Sequence, residues 1–313
     1  MAVILVTHGV PAEGFQFSKE DTVIIPNSLS AFTEEELFQR IPEADAVVAC
    51  GRLSGDVIRR GKKLVIIANY GAGYDGIDTR AAKEAGVFVT NIPNSVTTDT
   101  AQLAIGLMLS ASRRIGELNS RLRNEKPETL FGIGKNMGHS LHGRTLGIIG
   151  AGRIGTQTAL YAKALGMRVL GYRRGGAAAD VFEPVSLDEI FRQSDIISLH
   201  CPLTTETRGL IDKHAISSMK DGAILINTSR GAVVDTAALM EALASGKLAC
   251  AGLDVYPDEP HLPEGLEKLS NVVLTPHIGS NTYETRFEMA RALSKQIKDA
   301  LCGKRPENIV NGL

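Results

Sequence analysis

The chain has 313 residues, of which 43% are hydrophobic and 22% charged, and its formal net charge is −1. This length allows two domains with separate cores, and the balanced charge provides no basic surplus to drive binding to nucleic acid or anionic membranes. No apolar run is long enough to span a membrane, and residues 1–7 lack the basic start of a signal peptide. We therefore expect a soluble, cytoplasmic protein that binds neither nucleic acid nor membranes.

The cysteines predict no metal site. They match no metal-binding or redox spacing, and they are Cys50, Cys201, Cys250 and Cys302. We expect buried and reduced thiols, as is usual in the cytosol.

Short apolar runs alternate with helical segments in the first 90 residues. The predicted strands are residues 2–7, 22–25, 46–49, 64–68 and 87–90, with helices at 34–40 and 78–85. Strands that alternate with helices predict a parallel sheet. We therefore predict that this part of the chain forms an α/β domain of its own.

A glycine-rich loop follows the fourth of these strands. Residues 69–75 read Asn-Tyr-Gly-Ala-Gly-Tyr-Asp, and ligands bind at this end of parallel strands. The backbone N–H groups of Gly71, Ala72 and Gly73 can bind a small carboxylate. An ordinary tight turn explains the same residues equally well, so both alternatives stay open at this point.

A long apolar segment follows the first domain. Residues 101–112 are apolar on almost all sides, which predicts a buried helix that joins two domains. Thr98 or Asp99 can cap the start of this helix. Residues 119–143 are polar and glycine-rich, and they predict a loop or a short helix.

A predicted strand at residues 145–149 ends in the pattern Gly-x-Gly-x-x-Gly. A helix at 156–165 and a second strand at 168–172 follow, as a dinucleotide-binding βαβ unit requires. There the first glycine permits the tight turn, the second lets the backbone approach a pyrophosphate, and the third lets the helix pack on the strand. The phosphates bind at the helix N-terminus. The predicted cofactor-binding residues of this turn are Gly150, Gly152, Arg153, Ile154 and Gly155.

The position that selects the cofactor is basic in this chain. A dinucleotide site usually has an Asp or Glu about 20 residues past the glycines, where it binds the ribose 2′-hydroxyl. Arg173 and Arg174 stand there instead, and guanidinium groups bind a 2′-phosphate. Two arginines on a surface loop are the alternative interpretation. The charge argument favours NADP over NAD.

The later strands complete a doubly wound sheet. We predict strands at 195–200, 223–227, 249–253 and 272–274, with helices at 188–192 and 236–244. Residues 282–301 form a final amphipathic helix, with apolar residues at helical spacing. This succession is expected of a Rossmann sheet.

Polar residues follow three of these strands, and together they suit one reaction. Arg230, Glu259 and His277 provide a guanidinium, a carboxylate and an imidazole. Hydride transfer to a carbonyl needs a proton donor, a carboxylate that orients it, and a cation that polarises the carbonyl. Each residue alone also has a structural explanation: a strand cap, a solvated acid and a core histidine.

The whole chain resembles the D-2-hydroxyacid dehydrogenases. The motifs that carry the resemblance occur in one order and at matching spacings. They are Gly71-Ala72-Gly73-Tyr74-Asp75-x-Ile77-Asp78, the glycine fingerprint, His200-x-Pro202-Leu203-Thr204-x-x-Thr207, Asn227-x-x-Arg230-Gly231, Gly252-Leu253-Asp254-Val255 with Glu259-Pro260, and Pro276-His277-x-Gly279.

The resemblance implies roles for individual residues. It implies that Arg230, Glu259 and His277 are the catalytic residues and that Asp254 holds the nicotinamide carboxamide. The backbone of residues 71–73, together with Arg230, is implied to bind the substrate carboxylate. Further cofactor contacts are implied at Pro202, Thr207, Thr228 and Gly279.

The resemblance also implies an architecture. It implies a smaller, flavodoxin-like substrate domain from residues 1–98 and 285–313, and a Rossmann NAD(P)-binding domain from residues 99–284. It further implies a homodimer that forms mainly through the cofactor domain.

Within the family, the basic pair and the short chain most resemble the NADPH-dependent glyoxylate/hydroxypyruvate reductases, which reduce small 2-oxo acids to D-2-hydroxy acids. Two alternatives stay open: the same chemistry on a bulkier 2-oxo acid (an aromatic pyruvate or a 2-keto sugar acid), and a cofactor-sensing regulator of the same fold. Gln102 stands where the family usually has an acid, and the chain has no tryptophan. Both departures leave the shape of the substrate pocket open.

Overall fold

The computed structural model describes residues 1–176 and 180–313. The chain divides into two units. The terminal unit consists of Met1–Val96 and Ser280–Leu313, and the central unit consists of Thr97–Gly279.

The terminal unit contains a five-stranded parallel sheet in the order β2-β1-β3-β4-β5. This is the flavodoxin-type order, and it confirms the predicted fold class of the smaller domain. The strands are β1 (Val3–Val6), β2 (Thr22–Ile24), β3 (Ala46–Ala49), β4 (Ile66–Asn69) and β5 (Phe88–Thr90). Three helices lie between the strands: α1 (Glu34–Arg40), α2 (Gly55–Arg60) and α3 (Thr79–Glu84).

Helix α2 was not predicted because it has too few residues to show a helical repeat. It contains six residues, of which Val57 and Ile58 are buried. Ser54 starts the helix, since its hydroxyl accepts a hydrogen bond from the Val57 N–H at 3.4 Å. The helix therefore depends on a cap and on two core contacts rather than on a long apolar stripe.

The central unit contains a seven-stranded parallel sheet in the order β12-β11-β10-β9-β6-β7-β8. This order confirms the predicted Rossmann fold. The helices are α4 (Thr97–Arg113), α5 (Ile115–Asn124), α6 (Pro127–Leu130), α7 (Arg153–Ala164), α8 (Leu187–Gln193), α9 (Lys213–Ser218) and α10 (Thr236–Ser245). The strands are β6 (Thr145–Ile149), β7 (Arg168–Tyr172), β8 (Glu183–Pro184), β9 (Ile196–Leu199), β10 (Ala223–Asn227), β11 (Leu248–Leu253) and β12 (Val272–Leu274).

The two faces of this sheet are covered by different helices. Helices α4 and α7 pack on the face that carries Ile148 and Ile226, and α8, α9 and α10 pack on the face that carries Ile149 and Leu199. Gly252 permits the close approach of α4, because a Cβ there would lie 3.0 Å from the Cβ of Leu107. The buried faces explain why these strands are continuous apolar runs.

The segment at 119–143, predicted as a loop or a short helix, contains the end of α5 and all of α6, whereas the start of α5 at Ile115 was not predicted. Helix α5 has no buried residue, so it shows no apolar stripe that faces a core. Ion pairs along its surface support it instead. Arg114 and Glu117 are joined at 2.6 Å, and Arg121 and Glu125 at 2.8 Å.

The last helix, α11 (Tyr283–Leu301), belongs to the terminal unit. Leu293 and Ile297 are fully buried, and Gln296 hydrogen-bonds Thr90 at 2.8 Å. Phe287, which the helical spacing placed on the same apolar face, is 45% exposed. The apolar face therefore begins one turn later than predicted.

Short 3₁₀ turns complete the secondary structure, at Ile41–Glu43, Gly231–Val233 and Leu266–Lys268. Among the helices that the structure describes, none has both the length and the hydropathy to cross a membrane. The expectation that all four thiols are buried was wrong. Cys201 and Cys250 are buried, whereas Cys50 is partly buried and Cys302 is exposed.

Candidate active site

The glycine turn of the central unit joins β6 to α7. Gly150 has a φ of +96°, and a Cβ there would collide with the backbone at Cys201. A Cβ at Gly155 would collide with the carbonyl oxygen of Gly150, so this glycine lets α7 pack against the turn. Only a glycine fits either position without movement of the backbone.

Gly152 stands between them and differs from both. It caps α7, and a Cβ there would meet no atom within 4 Å in the described part of the chain. The space above Gly152 is therefore open at the N-terminus of a twelve-residue helix. Arg153 and Ile154 form the first turn of that helix, where backbone N–H groups favour an anion. This cradle fits the pyrophosphate of a dinucleotide.

The two arginines that the charge argument singled out lie directly after β7, and both are exposed. Arg174 forms an ion pair with Glu206 at 3.4 Å. Arg173 forms no ion pair with any residue between 1 and 176 or between 180 and 313. Arg173 is thus the more available of the two cations for a phosphate.

The loop after β9 brings Pro202 and Thr207 together. The Thr207 hydroxyl donates to the Pro202 carbonyl at 2.7 Å and accepts the Thr204 N–H at 2.8 Å. These two hydrogen bonds join the two ends of the loop at residues 202–207. It lies one residue beyond His200, whose backbone N–H still bonds Ile149 of β6 at 2.8 Å.

Arg230 follows β10 in a short polar loop. Asn227 organises the loop, because its side chain accepts the Ser229 N–H at 3.0 Å and donates to the Arg230 carbonyl at 2.9 Å. The Arg230 guanidinium donates to the Ser229 carbonyl at 2.7 Å. A Cβ at Gly231 would collide with the backbone of Tyr256, so this loop lies directly against the loop that carries Glu259.

Asp254 is 1% exposed, and its carboxylate is bound entirely within the protein. It accepts the Thr275 hydroxyl at 2.6 Å and the N–H groups of Ile278 and Gly279 at 2.8 and 2.9 Å. Burial raises the pKa of this carboxyl, and these hydrogen bonds offset only part of that effect. Asp254 therefore holds the loop on both sides of His277.

His277 and Glu259 form the central pair of the site. His277 Nδ1 lies 2.7 Å from Glu259 Oε2, and the second carboxylate oxygen accepts the Tyr256 N–H at 2.9 Å. Burial alone would raise the pKa of Glu259, but its hydrogen bonds with His277 and Tyr256 and the charge of Arg230 outweigh burial and lower it. The acid stays ionised and fixes the imidazole. The other nitrogen, Nε2, has no hydrogen-bond partner among residues 1–176 and 180–313.

The backbone of His277 is held in an unusual conformation, with a φ of +53°. A residue with a side chain rarely adopts this region unless the surroundings enforce it. Here the His277 N–H donates to the Asp254 carbonyl at 2.9 Å, and the flanking bonds to the Asp254 carboxylate complete the constraint. The side chain is half exposed.

An apolar cavity of about 420 Å³ adjoins this pair. Its walls include Tyr256, Pro260, Leu262, Leu274 and Pro276. The Tyr256 hydroxyl points inward, where it donates to backbone carbonyls of Leu253 and Thr275. Burial raises the pKa of Tyr256 to about 12, so it stays neutral.

The glycine-rich loop of the terminal unit follows β4. The side-chain amide of Asn69 donates to the carbonyls of Gly71 and Gly73 at 2.9 Å each, and that of Asn91 donates to Ala72 at 2.7 Å. The Gly71 N–H is already donated to the Asn69 carbonyl at 2.8 Å. The N–H groups of Ala72 and Gly73 are therefore the better candidates for a carboxylate.

Three residues of the site were not predicted from the sequence. Ser229, Tyr256 and Thr275 hold Asn227, Glu259 and Asp254 in place. Each stands one or two residues past a strand end or in the loop beyond it, which is a visible signal. The pairing between them depends on which strands are neighbours, and that order cannot be seen in one sequence.

The chain is similar to proteins of known family. Residues 105–279 match the family model described as D-isomer specific 2-hydroxyacid dehydrogenase, NAD binding domain. A glyoxylate reductase of Thermococcus litoralis is 43% identical over 284 residues, which are 88% of this chain and 86% of that protein. A hydroxypyruvate reductase of Thermotoga maritima is 42% identical over 270 residues, which are 84% and 87% of the two chains.

Solved structures show the same fold. An NADPH-dependent glyoxylate/hydroxypyruvate reductase from Sinorhizobium meliloti, in complex with NADP and malonate, has a TM-score of 0.85 to this chain. The two are 28% identical, and the match covers 99% of this chain and 96% of the other.

Proposed function

Because the chain belongs to the D-isomer specific 2-hydroxyacid dehydrogenase family, we propose that it reduces a small 2-oxo acid of the glyoxylate or hydroxypyruvate type to the D-2-hydroxy acid with NADPH. The relatives named glyoxylate reductase and hydroxypyruvate reductase support the substrate class. The observation that carries the proposal is the contact of 2.7 Å between His277 and Glu259, in the same unit as the glycine turn.

In the proposed mechanism, His277 is the general acid. The cofactor supplies the hydride when it is bound. Glu259 holds Nδ1, so Nε2 of the protonated imidazole gives its proton to the oxygen of the substrate carbonyl as that oxygen gains charge. In the reverse direction the neutral imidazole takes the same proton from the hydroxyl.

Arg230 and residues 71–73 are proposed to bind the substrate. The Arg230 guanidinium pairs with the carboxylate and polarises the neighbouring carbonyl, which a planar, permanently charged group does well. The backbone N–H groups of Ala72 and Gly73, in the terminal unit, are proposed as further hydrogen-bond donors to a substrate carboxylate. Exclusion of water from this site strengthens each of these interactions.

The cofactor residues are proposed as follows. The pyrophosphate lies on Gly150, Gly152, Arg153, Ile154 and Gly155, and Arg173 and Arg174 bind the 2′-phosphate that distinguishes NADP from NAD. Pro202, Thr207, Thr228, Asp254 and Gly279 border the nicotinamide half. The name of the Sinorhizobium relative, which includes NADPH and NADP, supports the choice of cofactor.

We also propose that the chain forms a homodimer through the central unit. Large apolar side chains are exposed in and after α5, with Phe131 71% exposed and Met137 74% exposed. Several large exposed apolar side chains in one segment are usual for a surface that a partner covers. A second copy of the chain is the simplest partner.

The apolar cavity next to His277 supports one further candidate substrate. A space of about 420 Å³ with mostly apolar walls suits the side chain of a bulkier 2-oxo acid, such as an aromatic pyruvate. A ratio of kcat/KM for phenylpyruvate over glyoxylate above one would favour this candidate. A ratio well below one would favour the small substrates.

The test of the proposed reaction compares wild type with His277→Ala. We expect wild type to reduce glyoxylate and hydroxypyruvate faster with NADPH than with NADH. We expect the variant to lose about 100-fold or more in kcat, because the general acid is missing, while the Kd for NADPH stays within about twofold. His261→Ala, in an exposed loop of the same unit, is the control and should behave as wild type. Wild-type turnover by His277→Ala would remove His277 from the mechanism.

A further inference from the structure

One row of residues crosses the central sheet just beyond its strand ends. The last paired residues of β6, β9, β10 and β11 are in register: Ile149 with Leu199, Leu199 with Asn227, and Asn227 with Leu253. The next residue of each strand therefore falls in one row as well. This row is Gly150, His200, Thr228 and Asp254.

The side chains of this row face the side of the sheet that α4 and α7 cover. Side chains alternate between the faces of a strand, and Ile226, two residues before Thr228, packs on that side. Ile196, four residues before His200, does the same. The row thus connects the glycine turn with the carboxylate that holds the His277 loop.

Two members of the row have buried polar atoms that lack a partner. His200 Nδ1 and Thr228 Oγ1 are both buried, and neither has a hydrogen-bond partner within the part of the chain that the structure describes. His200 as a residue is partly buried, and its Nε2 lies 2.9 Å from the Ser198 hydroxyl. Burial lowers the pKa of His200 to about 4, so the imidazole is neutral near neutral pH.

Unpaired buried polar atoms are rare, because each costs the free energy of its lost hydration. The other two in the described residues, the hydroxyls of Ser112 and Ser194, lie elsewhere: Ser112 in the last turn of α4 and Ser194 before β9. Only His200 and Thr228 are neighbours in one row at the carboxyl edge of the sheet. This is the edge at which Rossmann sheets bind their ligands.

We propose that His200 Nδ1 and Thr228 Oγ1 form a hydrogen-bonding subsite for a neutral amide or hydroxyl group in the nicotinamide half of the cofactor. This inference rests on the proposed use of a nicotinamide dinucleotide. The subsite is neutral, since a hydroxyl and an uncharged imidazole provide no ion pair. It suits a group that both donates and accepts, and it does not suit a phosphate. His200 thereby becomes a further cofactor-binding residue.

The two unpaired atoms also predict how substitutions change the stability of the cofactor-free protein. Both atoms are unpaired there, so removal of either one takes away a cost of folding while it removes a bond to the cofactor. Cofactor affinity and stability should then change in opposite directions. Substitution of a residue with a purely structural role would instead lower both the cofactor affinity and the stability.

The experiment measures the Kd for NADPH by nucleotide fluorescence and the Tm of the cofactor-free protein for four variants. Gln places its amide where the imidazole has Nε2, and Asn places it where the imidazole has Nδ1. His200→Gln and Thr228→Val should therefore weaken NADPH binding about tenfold, with a Tm equal to or above that of wild type. His200→Asn and Thr228→Ser retain the proposed groups and should bind NADPH within about threefold of wild type.

A second ligand locates the contact. The fragment 2′,5′-ADP has no nicotinamide half, so its Kd should be the same for all four variants and wild type. Equal weakening of 2′,5′-ADP would overturn the inference, as would wild-type NADPH affinity in both His200→Gln and Thr228→Val. A wild-type protein that bound neither NADPH nor NADH would overturn the proposed function along with it, so the two failures are distinct.

Discussion

At the scale of single residues, the two oxygens of Glu259 have different partners. Oε2 bonds the imidazole of His277 and Oε1 accepts the backbone N–H of Tyr256. The backbone bond therefore holds the carboxylate independently of its contact with His277. A carboxylate with a lowered pKa remains ionised near neutral pH, so in the proposed mechanism it can stabilise the protonated imidazole.

His200 should make the stability of the protein depend on pH. Its pKa is about 4 in the folded protein because of burial, and about 6.5 in the unfolded chain. Between these values the unfolded chain binds the extra proton, so the free energy of unfolding rises with pH and is lost as pH falls. We expect urea unfolding at about pH 7 and pH 5 to show a larger loss for wild type than for His200→Gln. Equal losses would contradict the assigned burial of His200.

Arg173 should contribute more to NADPH affinity than Arg174. Glu206 already partly neutralises Arg174 at 3.4 Å, whereas Arg173 has no ion pair with the described residues. We expect Arg173→Ala to weaken NADPH binding roughly 10- to 100-fold, as the loss of a charge-assisted hydrogen bond implies, and to leave NADH binding unchanged. Arg192→Ala, on the exposed side of α8, is the matched control. An equal loss for NADH would show that Arg173 does not contact the 2′-phosphate.

At the scale of elements, the turn between β6 and α7 contains two glycines, Gly152 and Gly155, whose surroundings differ although the sequence does not distinguish them. Gly155 is enclosed by the turn itself, and Gly152 faces open space. Gly155 is therefore required by the packing of the fold, whereas Gly152 leaves space that we propose a ligand occupies. The distinction follows from the surroundings of each Cα, which depend on how the strand and the helix pack.

Alanine substitutions should show which of the two glycines is required for stability and which for NADPH binding. Gly155→Ala forces a Cβ against the Gly150 carbonyl, so we expect Tm to fall by several degrees, as a cost of about 1–3 kcal/mol implies. Gly152→Ala meets no atom within 4 Å, so we expect its Tm within about one degree of wild type and its NADPH affinity at least tenfold weaker. Thermal unfolding and nucleotide titration test both. A stable Gly155→Ala variant with intact binding would contradict this division.

At the scale of the whole molecule, each unit has its own sheet and its own core. The family model covers residues 105–279, which lie within the central unit. The chemistry of the acid–base pair also lies in this unit, because Arg230, Glu259 and His277 all belong to it. The central unit therefore holds both the cofactor-binding fold and the proposed proton donor.

If the chain forms the proposed homodimer through its exposed apolar residues, polar substitutions of these residues should lower the mass of the protein in solution. Phe131 and Ile133 are exposed after α6, and a dimer contact would bury them. We expect light scattering to give twice the chain mass for wild type and the chain mass for the double variant Phe131→Ser, Ile133→Ser. Leu29→Ser changes an equally exposed residue of the terminal unit and should leave the dimer intact. A monomeric wild type would refute the dimer.

Much of this protein was predictable from local patterns. Among the described residues, the apolar runs located eleven of the twelve strands closely enough to predict both sheets, and only β8, with two residues, was too short to recognise. The glycine fingerprint and the motifs of the family are local as well. Helices α2 and α9 were missed because they are short, and the start of α5 was missed because this helix has no buried residue.

The sequence by itself therefore determined the fold class, the family and the residue types available for catalysis, because turns, strands and motifs are encoded in neighbouring residues. Only the tertiary structure decided how they combine. It placed Glu259 against His277 across 18 residues, turned the carboxylate of Asp254 toward the Thr275 and His277 loop, and aligned His200 with Thr228. These pairings depend on strand order and register, which result from packing between distant segments of the chain.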